Sequence, residues 1–398
     1  MGYPPKVAKP RRPLFVSGGI FHLGISNLNK EYILSAPFLF VAQHTGPYLS
    51  IEPLVLEFGE SQITFVVDGA AQEQRARQES PHIGSRQVAE EWGSLKNMME
   101  ETVVEAVIRS TSEGLTSDNV EQLTTRAAAS LGIPVFVVED FPGNYRPSPE
   151  EPLAGLFVED DSMVEFHRSR GVAPSKIFIT GNPRYDRLQN IDREYEWLST
   201  RKSLGLGDEP TILWAGQPDG ENSYFTLKRL LDNYPQNGPT ILFRAHPRDQ
   251  AYHEGKYLPL MTESPIKILD VSDWPDDLPL CCASDLVITQ FSSVAVEASY
   301  LGVPALFVLF EDLGQRFFKE LKGYDWPIWC IEDCVFVIEN TEEIGQVITS
   351  AITDDETRCR TMGNFQRRFG LRRNSARLIA NHIKAILAES QKRIVKDK

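Results

Sequence analysis

Long apolar runs are missing from this chain. No stretch of its 398 residues approaches 18 consecutive apolar side chains, so no segment reads as a membrane-spanning helix. The opening MGYPPKVAKPRRP lacks the apolar core of a secretory signal. Lys6 stands where a myristoylation signal wants Ser or Thr. Cysteine is scarce: there are five, an odd number, with no CxxC and no Cys/His metal spacing. That excludes a disulfide framework and a zinc site, and predicts reduced thiols and a cytoplasmic location. Positive charge is short as well. Against 55 acidic residues stand 41 Lys and Arg, a formal net charge of −14, which argues against nucleic acid or an anionic membrane as the main partner. Internal repeats and low-complexity tracts are absent too.

What remains is a globular α/β chain. Hydrophobic content of 41% and charged content of 24% are those of a soluble fold. The length is too great for one ordinary core, so two domains are expected. Strand-like runs alternate with helical ones. The strands are expected at 14–17, 38–42, 63–67, 103–108, 135–138, 155–158 and 177–180, then at 211–215, 240–244, 266–269, 286–289, 305–309 and 335–338. Helices are expected over 86–101, 119–131, 222–233, 294–301 and 342–353, and an amphipathic one over 372–388. The charged stretch 189–208, ending Gly205-Leu206-Gly207, marks the domain break.

The most informative segment is ASDLVITQFSSVAVEASYLGVPALFVL, residues 283–309. It reads as strand, turn, helix, loop, strand, with Ser292 and Ser293 opening the helix and Gly302 stopping it. Free N–H groups and the positive dipole end make a helix start of this kind an anion site. Glu297 shares a face with Ser293, one turn deeper. A carboxylate there suits a nucleotide diphosphate: phosphate on the helix start, ribose hydroxyls on the acid. The competing reading is a capped core helix.

This segment resembles the C-terminal domain of GT-B-fold enzymes, the nucleotide-sugar glycosyltransferases. Their relatives are the UDP-N-acetylglucosamine 2-epimerases and the CDP-glycerol and sialic-acid polymer transferases. Other stretches extend the likeness in the family's order. Arg244-Ala245-His246-Pro247-Arg248 closes a strand and puts Arg244 and His246 on one side of an extended chain. It resembles the HP motif, and the resemblance makes Arg244, His246 and Arg248 ligands of donor phosphate. Gly181-Asn182-Pro183 followed by Asp186 matches the family's crossover into the second domain. Asn182 as an N-cap with Pro183 at the first helical position explains those residues without a ligand.

Gly18-Gly19 after the first expected strand resembles the acceptor-side loop, and His22 beyond it is a candidate general base. Gly132-Ile133-Pro134-Val135 leads to Glu139 and Asp140, with Glu150-Glu151 following. In the 2-epimerases a similar arrangement carries catalytic carboxylates. Here Ser112-Glu113 replaces their glycine-aspartate, and Phe310-Glu311-Asp312 replaces their arginine-rich segment, which weighs against epimerase chemistry. Asp68-Gly69 is a further, weaker base candidate.

The resemblance implies two Rossmann-like parallel-sheet domains facing across a cleft. Residues 1–190 form the acceptor side, 191–371 bind the nucleotide-sugar, and 372–398 form a helix crossing back to the first domain. It implies a glycosyltransferase, with a place in polysaccharide biosynthesis. Such an enzyme moves a sugar or sugar-like group from a nucleotide-linked donor to an acceptor hydroxyl of a glycan, lipid-linked or small molecule. No metal or other cofactor is expected. Ser292, Ser293, Arg244, His246 and Arg248 hold phosphate, Glu297 the ribose, and His22, Glu139 or Asp140 takes the acceptor proton. The alternatives are a 2-epimerase or sugar-nucleotide hydrolase using Glu139 and Glu151, and a non-catalytic nucleotide-binding protein. The sequence assigns no oligomeric state.

Overall fold

The computed structural model describes residues 36–78, 80, 82–112, 119–235 and 237–396. Gly18, Gly19, His22 and the strand expected at 14–17 lie outside them.

Two parallel sheets carry the chain. The first has seven strands: β1 (Phe38–Ala42), β2 (Ile63–Val67), β3 (Ile83–Gly84), β4 (Ala106–Arg109), β5 (Val135–Val138), β6 (Leu153–Val158) and β7 (Ile177–Ile179). Their order is β3-β2-β1-β4-β5-β6-β7. The second has six: β8 (Thr211–Ala215), β9 (Thr240–Arg244), β10 (Ile268–Asp270), β11 (Leu286–Thr289), β12 (Ala305–Val308) and β13 (Phe336–Ile338), in the order β10-β9-β8-β11-β12-β13. Strands such as TILWA and ALFV are apolar throughout because helices cover both faces of a parallel sheet; every residue of β8 and β12 is buried. This is the expected α/β architecture of two Rossmann-like domains.

In each sheet the strand order reverses once, between β1 and β4 and between β8 and β11. Crevices that take ligands in open α/β sheets form outside the carboxyl ends of the strands at that reversal. Five helices flank the sheets: α1 (Thr45–Ile51) after β1, α2 (Glu221–Asp232) after β8, α3 (Asp277–Ala283), α4 (Ser293–Tyr300) after β11, and the last helix, α5 (Ser375–Lys396).

Helix α5 crosses back to the first sheet, as the resemblance implied. Ala376, Ile379, Ala380 and Ile383 bury in one cluster with Phe40, Phe65, Phe136 and Phe157. Each fully buried isoleucine there contributes roughly 1.5–3 kcal/mol, and Ile383→Asp would break the contact. Asp186 caps the helix from the crossover segment, accepting from the amides of Ser375 at 3.0 Å and Ala376 at 2.9 Å. Two further contacts join the halves: Arg368 grips Asp160 through both terminal nitrogens at 2.7 and 2.9 Å, and Tyr324 donates to the Pro142 carbonyl at 2.5 Å.

Some elements differ from the sequence reading. The helix expected over 86–101 is two, Ser85–Trp92 and Leu95–Glu101, because Gly93 takes a left-handed conformation (φ 73°) and Ser94 caps the second piece. Strand β4 starts at Ala106, leaving Val103 exposed in the preceding turn. A 15-residue helix, Asp355–Phe369, was not anticipated.

Candidate active site

At the carboxyl edge of the second sheet, the Thr289 hydroxyl ties the loops after β8 and β11 together. It donates to the Ala215 carbonyl at 2.7 Å and accepts from the Ser292 amide and the Gln217 side chain, both at 3.2 Å. Ser292 caps α4, accepting from the Val294 amide at 3.3 Å, and Ser293 is its first helical residue. Both serines are half-buried at the crevice. The loop after β9 packs on the same edge. A Cβ at Gly216 would meet the Arg244 carbonyl at 3.2 Å and the His246 amide at 3.3 Å, a tight fit that glycine eases where the two loops come together.

The three residues of the Arg-Ala-His-Pro-Arg motif divide their work. Arg244 is engaged by its own domain: it forms an ion pair with Asp277 of α3 and donates to the carbonyl of Trp274 at 2.7 Å and of Val271 at 3.3 Å. His246 accepts the Arg248 amide on Nδ1 at 3.1 Å, which leaves the hydrogen on Nε2. Burial first, then the Arg248 and Arg244 charges, push its pKa down to about 4, so the imidazole is neutral at physiological pH. The Arg248 side chain is exposed. In the loop after β8, Asp219 accepts from the Ser223 amide at 3.2 Å while its other oxygen is buried without a partner. Burial pushes this carboxyl up to about 6.

Glu297 lies one turn below Ser293 and is only 1% exposed. Two arginines of the crossover segment hold it: Arg184 at 2.7 Å and Arg187 at 3.2 Å, each on a different carboxylate oxygen. The same segment explains Asn182, whose side chain accepts from the Arg184 amide at 3.1 Å and donates to the Asp140 carbonyl at 3.0 Å.

On the first sheet's side, Asp140 follows β5 at the sheet's carboxyl edge. It accepts from Thr111 and, at 3.0 Å, from Asn144. Its Oδ2 lies 3.3 Å from where a Cβ on Gly46 would be, and a terminal nitrogen of Arg184 lies 3.9 Å from the same point. Glu139 points inward instead: it is 3% exposed and accepts the Tyr145 amide at 3.0 Å and pairs with buried His167 at 2.9 Å. Glu151 is bound to Arg109 and accepts from Tyr145 at 2.6 Å. Of the two carboxylates of the epimerase alternative, Glu151 is engaged inside the first domain, and Glu139 is buried there with Oε1 engaged and Oε2 without a partner. Asp68 caps the helix Gly69–Arg77 through the Gly69 amide at 2.8 Å.

The fold brings forward residues that the sequence reading passed over. His44 occupies the N-cap position of α1, directly after β1 at the reversal of the first sheet. Its backbone amide donates to Ser112 at 3.3 Å, and the residue is half-buried. The visible signal was a histidine followed by Thr-Gly-Pro right behind an apolar strand. Gln217 and Asp219 carried the corresponding signal behind β8.

Residues 159–376, more than half the chain, match the family model described as CDP-Glycerol:Poly(glycerophosphate) glycerophosphotransferase. No curated protein matches the sequence. Among solved structures, the fold is similar to that of Staphylococcus aureus MnaA in a UDP co-structure. That pair has a TM-score of 0.62 and 18% identity, covering 89% of this chain and 97% of that one. It is similar to UDP-GlcNAc 2-epimerase from Neisseria meningitidis bound to UDP-GlcNAc (TM-score 0.60, 15% identity, 87% and 99% covered). It also resembles the wall teichoic acid polymerase TagF, determined as a histidine variant with CDPG (TM-score 0.56, 15% identity, 92% of each chain). These likenesses establish the two-domain GT-B fold. The matched family segment spans the whole edge built by Thr289, Ser292, Ser293, His246 and Glu297. This chain is a GT-B transferase of the nucleotide-sugar type, and it belongs to the CDP-glycerol:poly(glycerophosphate) glycerophosphotransferase family.

Proposed function

We propose that the chain transfers a glycerophosphate-like group from a cytidine-diphosphate-linked donor to a hydroxyl of a polymeric or lipid-linked acceptor, without a metal cofactor. The observation that carries the reading is the edge at the β8/β11 reversal, where the α4 start, the serine pair and neutral His246 meet. Backbone N–H groups and the helix dipole bind the diphosphate there. The Nε2–H of His246 donates to a phosphate oxygen, and Glu297 takes the ribose hydroxyls. Donors of this kind, fixed before reaction, stabilise the charge that grows on the leaving nucleotide.

The acceptor oxygen attacks the glycerol-bearing phosphorus. A new P–O bond forms as the bond to CMP breaks, and the acceptor proton passes to a base of the first domain. His44 suits that task by its place at the β1 carboxyl end; Asp140, at the carboxyl end of β5, is the second candidate. Glu139, paired with His167, supports the loop around them.

The test is a donor panel. CDP-glycerol and UDP-, GDP-, ADP- and CMP-linked donors are incubated with and without a poly(glycerophosphate) primer, and products are followed by mass spectrometry. Primer-dependent CMP release with primer extension is expected. Rapid primer-free conversion of a UDP-sugar to an isomer would put an epimerase in its place. Donor binding without any turnover would leave a nucleotide-binding protein.

A further inference from the structure

One of the two arginines of the Arg-Ala-His-Pro-Arg motif is already engaged. Arg244 is matched by Asp277 and by main-chain carbonyls, so it brings little free charge to an anion. Glu297, a single carboxylate, faces two guanidiniums. The crossover segment between the sheets supplies both of these cations, and Asp140 lies near the Arg184 end of the pair. The Arg184 side chain is 11% exposed, and its Nε is buried with no partner. One terminal nitrogen of its guanidinium bonds Glu297 and the other lies in the neighbourhood of Gly46 and Asp140. Both arginines meet a carboxylate one helical turn, about 5–6 Å, from the N-terminus of α4.

We propose that Arg184 and Arg187 are ligands of the donor diphosphate, held in position by Glu297 and shared with the phosphates when the donor binds. The inference rests on the donor reading above. A diphosphate at the α4 start carries more negative charge than Glu297 and presents oxygens to the planar donor fork of a guanidinium. The exchange frees Glu297 for the ribose, and couples the segment joining the two sheets to occupation of the site. No covalent step is involved.

Calorimetric titration of the full chain with CDP and with cytidine tests this, since the two ligands share base and ribose and differ in the phosphates. Arg184→Gln should weaken CDP about tenfold or more and leave cytidine unchanged. Arg184→Lys, which keeps the charge without the fork, should recover part of the loss. Arg187→Gln, at a side chain 41% exposed, should show the same selective loss to a smaller degree, and it decides the matter if Arg184→Gln does not fold. Equal weakening of CDP and cytidine, or no change in either, would overturn the inference while leaving the donor reading standing. A wild-type chain that binds no CDP would bring down both.

Discussion

Tyr300 of α4 donates its hydroxyl to Glu159 at the end of β6 across 3.0 Å, a hydrogen bond between the two sheets' domains. Glu159 is buried, and its second oxygen has no partner. Burial, foremost, pushes the carboxyl up to about 7. Asp160 adds to the rise, while Tyr300, the Trp329 side chain and Arg184 oppose it.

The consequence for stability has a definite sign. Between the usual carboxyl value of 4.5 and about 7, the folded chain keeps a proton that the unfolded chain has lost. Stability is therefore greatest below that window and falls as pH rises through it, by roughly 3 kcal/mol once the group is ionised. Glu159→Gln should remove most of that fall and raise stability at pH 8. Denaturation midpoints of both proteins at pH 5, 6, 7 and 8 check this; parallel pH profiles would contradict it.

His246 gives the opposite expectation, an absence of pH dependence. Its imidazole titrates at about 4, so it is neutral and donates from Nε2 across the physiological range. The phosphates of CDP-glycerol stay ionised there, so His246 should add no pH dependence to its binding between pH 5.5 and 8, and the wild-type and His246→Ala profiles should run parallel. His246→Ala should weaken binding on the order of tenfold, and His246→Gln, which can donate from a similar place, should lose less. A rise in affinity on acidification through pH 6.5 in wild type, absent from the alanine variant, would show a charged imidazole instead.

How far these features were legible follows from their range along the chain. The runs TILWA, LVIT and ALFV showed as strands because a parallel strand buried on both faces is apolar throughout. The serine pair showed because a helix start has local cap chemistry. Two-residue β3 carries no such pattern, and Gly46-Pro47 masks α1. The partners of Arg244 and Glu297 were out of reach for another reason. Asp277 lies on a later helix, and Arg184 and Arg187 come from the other side of the domain break, so only the fold reveals that Arg244 is paired and that the other two hold Glu297. Asn182 was the easier case, because its cap is made within its own turn.

Gly181 marks where the crossing helix docks. Its φ is 79°, and a Cβ would approach the Ser375 hydroxyl to 2.6 Å and the Arg372 Cβ to 2.8 Å. Gly181→Ala therefore combines a left-handed strain of about 1 kcal/mol with a clash at the base of α5. A loss of about 2 kcal/mol or more is expected, measured by denaturant titration. Gly171, also left-handed at φ 92° but with open space around it, provides the comparison: Gly171→Ala should cost only the strain.

Asp186 completes the account of the crossover segment. Both of its carboxylate oxygens are committed to the first amides of α5, which would otherwise be unsatisfied donors at a buried helix start. Its negative charge also opposes the positive end of the helix dipole. Asp186→Ala should cost about 1–2 kcal/mol, and the loss should be local, because the rest of α5 keeps its contacts with Phe40, Phe136 and Phe157. Limited proteolysis separates this from general unfolding. Faster cleavage between 370 and 375, with the two sheets still protected, is the expected pattern. Asp186→Asn should be intermediate, since one oxygen still accepts an amide while the charge is gone. Uniform sensitivity across the chain would mean that the carboxylate supports the whole interdomain joint and not the helix start alone.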